Sequence, residues 1–236
     1  MRKRIWELDA LRGLCLLGVI AVHLIFDLTV MYRIIDWDYP DWFNFVQRWG
    51  GTVFLVLSGT CVTLGHHPIR RGIIVFGAGM LITGVTWGMY KLGFAGNSMV
   101  IRFGVLHCLG ICMLLWPLLR KCPWWVLAIL GAIVVALGFY IEPMKVDCQW
   151  LFPLGLKYPG FASGDYFPLF PQLGFFLLGA VIGKTAYAKK QTLLPKINAR
   201  IFPFNALQFL GRHSLEVYLL HQPILAGMCY LLTLSR

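Results

Sequence analysis

The sequence predicts an all-α fold, a polytopic membrane helix bundle of about seven transmembrane helices, on three observations. Of 236 residues, 58% are hydrophobic and only 13% are charged, more apolar surface than a soluble domain can hide from water. The apolar residues fall into seven runs, each near the ~20 residues that cross a hydrocarbon core of about 30 Å. Most linkers are short and basic, such as His66-His67-Pro68-Ile69-Arg70-Arg71 and Arg120-Lys121-Cys122, so consecutive helices become antiparallel neighbours. Residues 1–236 read as a single integral membrane domain.

In chain order, the helices are expected at 10–31, 45–65, 72–92, 99–119, 123–141, 168–188 and 209–233. At the head of the first, Asp9 reads as an N-cap with Arg12 one turn on as its charge partner. Gly77, Gly84 and Gly88 on the third, with Gly104 and Gly110 on the fourth, read as close-packing positions. The fifth is the shortest. Two connections are longer: 142–167 is rich in Pro, Gly and aromatics, and 189–208 carries Lys189, Lys190, Lys196 and Arg200.

The formal charge of +11 does not point to nucleic acid, because the basic residues sit in short loops between apolar runs and not on one folded surface. They orient the chain in a lipid bilayer instead. With the N-terminus cytoplasmic, the inner side collects fourteen Lys and Arg, including Arg2, Lys3, Arg4, Arg70, Arg71, Arg120, Lys121 and Lys184, against seven outside. Asp36, Asp38, Asp41, Glu142, Asp147 and Asp165 gather in the outer loops, and the C-terminus is expected outside. Trp37, Trp42, Trp49, Trp124, Trp125 and Trp150 fall near helix ends, as an interfacial belt does. Cys108 and Cys112 stand at i,i+4 without further Cys or carboxylate neighbours, so the cysteines read as packing residues and no metal is expected.

Ionisable residues inside apolar helices are costly unless satisfied, which makes them the first candidates for function. His23 and Asp27 share one face of the first helix at i,i+4, so the carboxylate can orient the ring and leave the other nitrogen as a base. The same pair also fits a buried polar clamp between helices. By helical rise, His23 lies roughly 20 Å above the inner edge and His107 about 18 Å. Arg48 and Arg102 fall about 5 Å below the outer edge by the same rise, where they can hold an anionic substrate group or reach headgroups. The last helix adds Glu216 and His221 as further substrate-binding candidates, and Arg12 can meet an anionic donor on the cytoplasmic side. The same buried network suits a transporter or a proton or anion relay, although no inverted repeat is visible. A bis-histidine haem across His23 and His107 would need neither the carboxylate nor the arginine layer.

Leu8-Asp9-Ala10-Leu11-Arg12-Gly13, followed by an apolar run to His23, resembles the L-D-x-L-R-G opening of membrane acyltransferases. Phe54-Leu55-Val56-Leu57-Ser58-Gly59 is similar to their F-x-x-x-S-G run. Arg102-Phe103-Gly104-Val105-Leu106-His107-Cys108-Leu109-Gly110 resembles the R-x-x-G-V-L-x-x-L-G run of the heparan-α-glucosaminide N-acetyltransferase catalytic-domain family, with one residue fewer after the arginine. The stretches 167–174 and 210–221 are similar to bacterial members of that family. The resemblance implies an acyltransferase using acetyl-CoA or another acyl-CoA from the cytoplasm and a carbohydrate-like acceptor on the far side of a bacterial inner membrane. His23 then corresponds to the functional polar residue of the first helix, as base or acyl carrier, with Asp27 and His107 beside it in the reaction. Oligomeric state stays open, and a dimer is compatible with it.

Overall fold

The computed structural model describes residues 4–234, so Arg2 and Lys3 of the inner basic set lie outside the described residues. Helix α1 (Trp6–Phe26) runs directly into a π-helical turn, Asp27–Met31. It is followed by α2 (Asp41–Leu64), α3 (Pro68–Lys91), α4 (Val105–Leu119), α5 (Trp124–Ile141), α6 (Leu169–Thr185), α7 (Phe204–Arg212) and α8 (Ser214–Leu234). Prolines set several starts, because a residue without an N–H costs nothing in a first turn. Pro68 opens α3, while Pro123 and Pro168 immediately precede α5 and α6.

Among the described residues, four segments are long and apolar enough to cross a membrane: Trp6–Met31, Pro68–Lys91, Trp124–Ile141 and Ser214–Leu234. Val105–Leu119 and Leu169–Thr185 are shorter apolar helices. Ile73, Leu81 and Val85 on α3 and Ile129 and Ile133 on α5 are all more than half exposed. Continuous apolar faces of this kind are covered by lipid chains, not water. The protein is an integral membrane protein with an all-helical bundle fold.

The described residues divide into two compact units, one formed by the chain up to 54 together with the chain from 190 on, the other by Leu55–Lys189. In the first, α1 packs along α7. The contact is backbone on backbone: a Cβ at Gly13 would overlap the Leu207 carbonyl, and one at Gly211 would overlap the Asp9 carbonyl. Buried Glu7 ties the connection before α7 to α1, accepting from Thr192 Oγ1 at 2.8 Å and the Leu193 amide at 2.7 Å. Asp9 is not an N-cap, because the helix already starts at Trp6 with Ile5 as its cap. The expected ion pair is present, with Arg12 3.6 Å and Arg4 3.9 Å from the Asp9 carboxylate. The expected helix 209–233 is two helices, divided at His213, whose backbone leaves the helical region at φ −104° and ψ 27°.

In the second unit α3 packs along α4 and α5 along α6. The close approach of α3 uses Gly72 and Gly79, set against Gly110 and Leu114 and against the His107 ring respectively. Gly77, Gly84 and Gly88, expected there, have nothing within 4 Å of an added Cβ and face outward. The fourth helix does not start at Met99. Residues 100–103 are not helical and pair with 164–167, with the Gly164 amide donating to the Val100 carbonyl and the Phe167 amide to the Phe103 carbonyl. Arg102 therefore stands in this loop pair and not on α4. At the other end of the unit, Lys184 Nζ donates to the Arg120 and Cys122 carbonyls at 2.7 and 2.5 Å. This brings the basic turn after α4 to the end of α6.

Candidate functional site

In the first unit α1 and α8 bring His23, Asp27, His221 and Gln222 together. Asp27 is fully buried at the start of the π-turn, and both of its oxygens accept from Gln222 Nε2, at 2.9 and 3.0 Å. π-turns recur at functional sites because the extra residue re-aims the side chains around it. Asp27 and His23 do share the α1 face, yet the carboxylate is spent on Gln222, and the expected His23–Asp27 hydrogen bond is replaced by this one. The His23 ring makes no hydrogen bond among the described residues. It packs edge-on against the His221 ring, with centroids 5.0 Å apart.

His221 is 7% exposed, and its Nδ1 donates to the Tyr218 carbonyl at 2.5 Å. That bond fixes the tautomer: the proton is on Nδ1 and Nε2 presents a lone pair. Nε2 has no partner, and neither does Gln222 Oε1. Pro223 follows within α8 and has no N–H to give the Leu219 carbonyl, so this turn of the helix is loosened beside the two orphaned acceptors. Of the other candidates in this unit, Glu216 is exposed in the first turn of α8. Arg48 is exposed, its guanidinium 5.8 Å from the Trp49 ring centroid. Arg12 donates to the Gly211 carbonyl at 3.4 Å besides meeting Asp9.

The second unit holds a separate polar network at the head of α4. The Gly104 amide donates to His107 Nδ1 at 3.2 Å, which places the ring proton on Nε2, 3.2 Å from Thr83 Oγ1. Thr83 passes the bond on to the Ile101 carbonyl at 2.6 Å. The ring is 2% exposed, stacked on Phe103 and edge-on to Phe76. Both His107 nitrogens are thus committed to holding the turn before α4. Arg102 is committed as well, from Nε to the Ala162 carbonyl at 2.9 Å and from Nη2 to Asn97 Oδ1 at 2.7 Å.

Asp165 joins this network by accepting from the Val105 amide, at 3.0 Å, against Gly104, where a Cβ would overlap its Oδ2. Burial pushes its carboxyl up from 3.8 to about 6, and the Val105 amide pulls the other way. Because the folded state then binds the proton more tightly, the stabilising contribution is complete below about 3.8 and is lost as pH rises through about 6. Between pH 4 and 7 the melting temperature of wild type minus that of Asp165→Asn is expected to fall. A constant difference would show that Asp165 titrates normally.

Among the described residues no group of three His, Cys, Asp or Glu is placed to hold a metal ion. Among the described residues the seven cysteines form no disulfide, and Cys108, Cys112 and Cys229 are buried.

The family model described as "Heparan-alpha-glucosaminide N-acetyltransferase, catalytic" matches residues 4–223. The chain belongs to this family. The match runs from the head of α1 through Gln222 and Pro223, so both helices that carry His23, Asp27, His221 and Gln222 fall inside it. Membership makes the protein a membrane transferase of the acetyltransferase kind. No curated protein and no solved structure matches the chain.

Gln222 is the residue of this site that sequence reasoning underweighted. A neutral amide carries no sign of which carboxylate it will meet. Its place between His221 and the helix-loosening Pro223 was the available signal.

Proposed function

We propose that the protein transfers an acetyl or related acyl group from acyl-CoA to a hydroxyl or amine of an extracytoplasmic carbohydrate-like acceptor. His23 is the general base. As the acceptor oxygen or nitrogen attacks the thioester carbonyl, His23 takes its proton, the carbon–sulfur bond breaks, and the imidazolium returns the proton to the departing CoA sulfur. Asp27 acts through Gln222, holding α8 against α1, while His221 binds the acceptor. Arg12 meets the acyl-CoA with Nε and Nη2, which no described residue uses. Arg48 and Glu216 meet charged parts of the substrates, and Arg102 holds its own loop against Ala162. His107 positions the turn before α4.

The observation that carries this reading is His23 itself, a part-buried imidazole in a membrane-length helix, free of hydrogen bonds and next to a second histidine with an unused lone pair. A structural clamp would spend those nitrogens, as His107 does. The basic turns support an orientation with the N-terminus cytoplasmic and the C-terminus outside over about seven crossings, and the similarity of 167–174 and 210–221 to bacterial members of the family supports a bacterial inner membrane as the location. Lys184 closing onto the Arg120–Cys122 turn supports one common basic end in the second unit.

Purified protein given acetyl-CoA is expected to release CoA thiol, faster when a hydroxyl- or amine-bearing sugar is added. Absence of both thiol release and acetyl-CoA binding would remove this reading.

A further inference from the structure

Gln222 Nε2 donates to both Asp27 oxygens, and the ionised carboxylate only accepts, so with Asp27 charged Oε1 points away from it. His221 is fixed in the same sense by the Tyr218 carbonyl. Consecutive residues of α8 therefore offer two buried lone-pair acceptors, His221 Nε2 and Gln222 Oε1, and neither has a partner. Leaving such atoms empty is costly, so a donor-bearing group belongs there.

The chemistry of that group is restricted. Phosphates, carboxylates and a thioester carbonyl are themselves acceptors and are repelled by two fixed lone pairs. Hydroxyls and amines are not. Neighbouring helical residues project about 100° apart, and here both reach α1, His221 at His23 and Gln222 at Asp27. They meet two different points of a ligand and not a single atom.

We propose that Gln222 is a substrate-binding residue that accepts from a second donor on the acceptor, adjacent to the reacting one, so that the site selects molecules with neighbouring hydroxyl or amine groups. This rests on the acyltransferase reading for the reacting group and adds the partner of its neighbour.

The test is equilibrium binding, without acyl-CoA, of methyl α-D-glucopyranoside and its 2-, 3- and 4-deoxy analogues to the purified protein. In wild type, removing one particular hydroxyl is expected to weaken binding about tenfold. Gln222→Met is expected to weaken the parent glycoside about tenfold, to abolish the distinction between it and that deoxy analogue, and to leave acetyl-CoA binding within about twofold. His221→Phe, which keeps the ring volume, should erase the distinction at a different hydroxyl, so it decides the matter if Gln222→Met does not fold. Independent losses from the Gln222 and deoxy changes, binding of none of the glycosides by wild type, or a loss confined to acetyl-CoA would each overturn the proposal. Glycoside binding with this pattern but no acyl transfer would support Gln222 while removing the acyltransferase reading.

Discussion

Replacing Gly211 by valine is expected to leave the protein aggregated or molten in detergent, with a loss of more than about 3 kcal/mol in the first unit. The reason is that α1 and α7 meet through backbone. A Cβ at Gly211 would occupy the position of the Asp9 carbonyl oxygen, and one at Gly13 that of the Leu207 carbonyl. A flexible neighbour could swing aside; a helical carbonyl cannot move without its whole turn. The displacement would also break the Arg12 contact to the Gly211 carbonyl and loosen the Glu7 bonds that hold 192–193. Gly227→Ala is the control, since nothing lies within 4 Å of a Cβ there. That change should be neutral or stabilise by about 0.5–1 kcal/mol through backbone entropy. Size-exclusion profiles and melting curves of the two variants separate the cases, and equal behaviour would contradict the close-packed α1–α7 contact.

Replacing His23 by alanine is expected to lower acyl transfer by about 10²–10⁴-fold, the usual contribution of a positioned general base. The fold should survive, because the ring gives up no hydrogen bond and loses only its packing against His221. His107→Ala is expected to behave in the opposite way. It orphans the Gly104 amide, removes the donor to Thr83 Oγ1, which keeps its own bond to the Ile101 carbonyl, and empties a space between Phe76 and Phe103, so stability should fall by about 2–4 kcal/mol. Activity per folded molecule should fall far less than for His23→Ala. The two histidines looked alike as residues buried in apolar helices. Their hydrogen bonds distinguish them.

Much of this was legible in the residues. Apolar runs bounded by prolines and basic turns gave α1, α3 and α5 to within a few residues, since length and hydropathy alone decide whether a segment suits a bilayer, whereas 209–233 joined the end of α7 to α8. His23 and Asp27 stood out because ionisable groups are conspicuous there. Facing was harder to read. The spacing of Gly77, Gly84 and Gly88 has the right period, but period does not say which side meets a partner, and α3 uses Gly72 and Gly79. Residues 99–104 look like a helix start, yet Met99 ends a short 3-10 turn, Asn97–Met99, and the stretch after it pairs with 164–167 instead. The long-range partners, Gln222 for Asp27 and Thr192 for Glu7, lie 195 and 185 residues away in sequence, where no local pattern reaches.

Single-turnover acyl transfer tests the central claim most directly. Wild type, His23→Ala and His107→Ala, each checked for folding, would be mixed with labelled acetyl-CoA and an amino sugar and quenched over time. Labelled sugar is expected from wild type, with near-complete loss for His23→Ala and product from the folded fraction of His107→Ala. Wild-type rates from His23→Ala would contradict that claim.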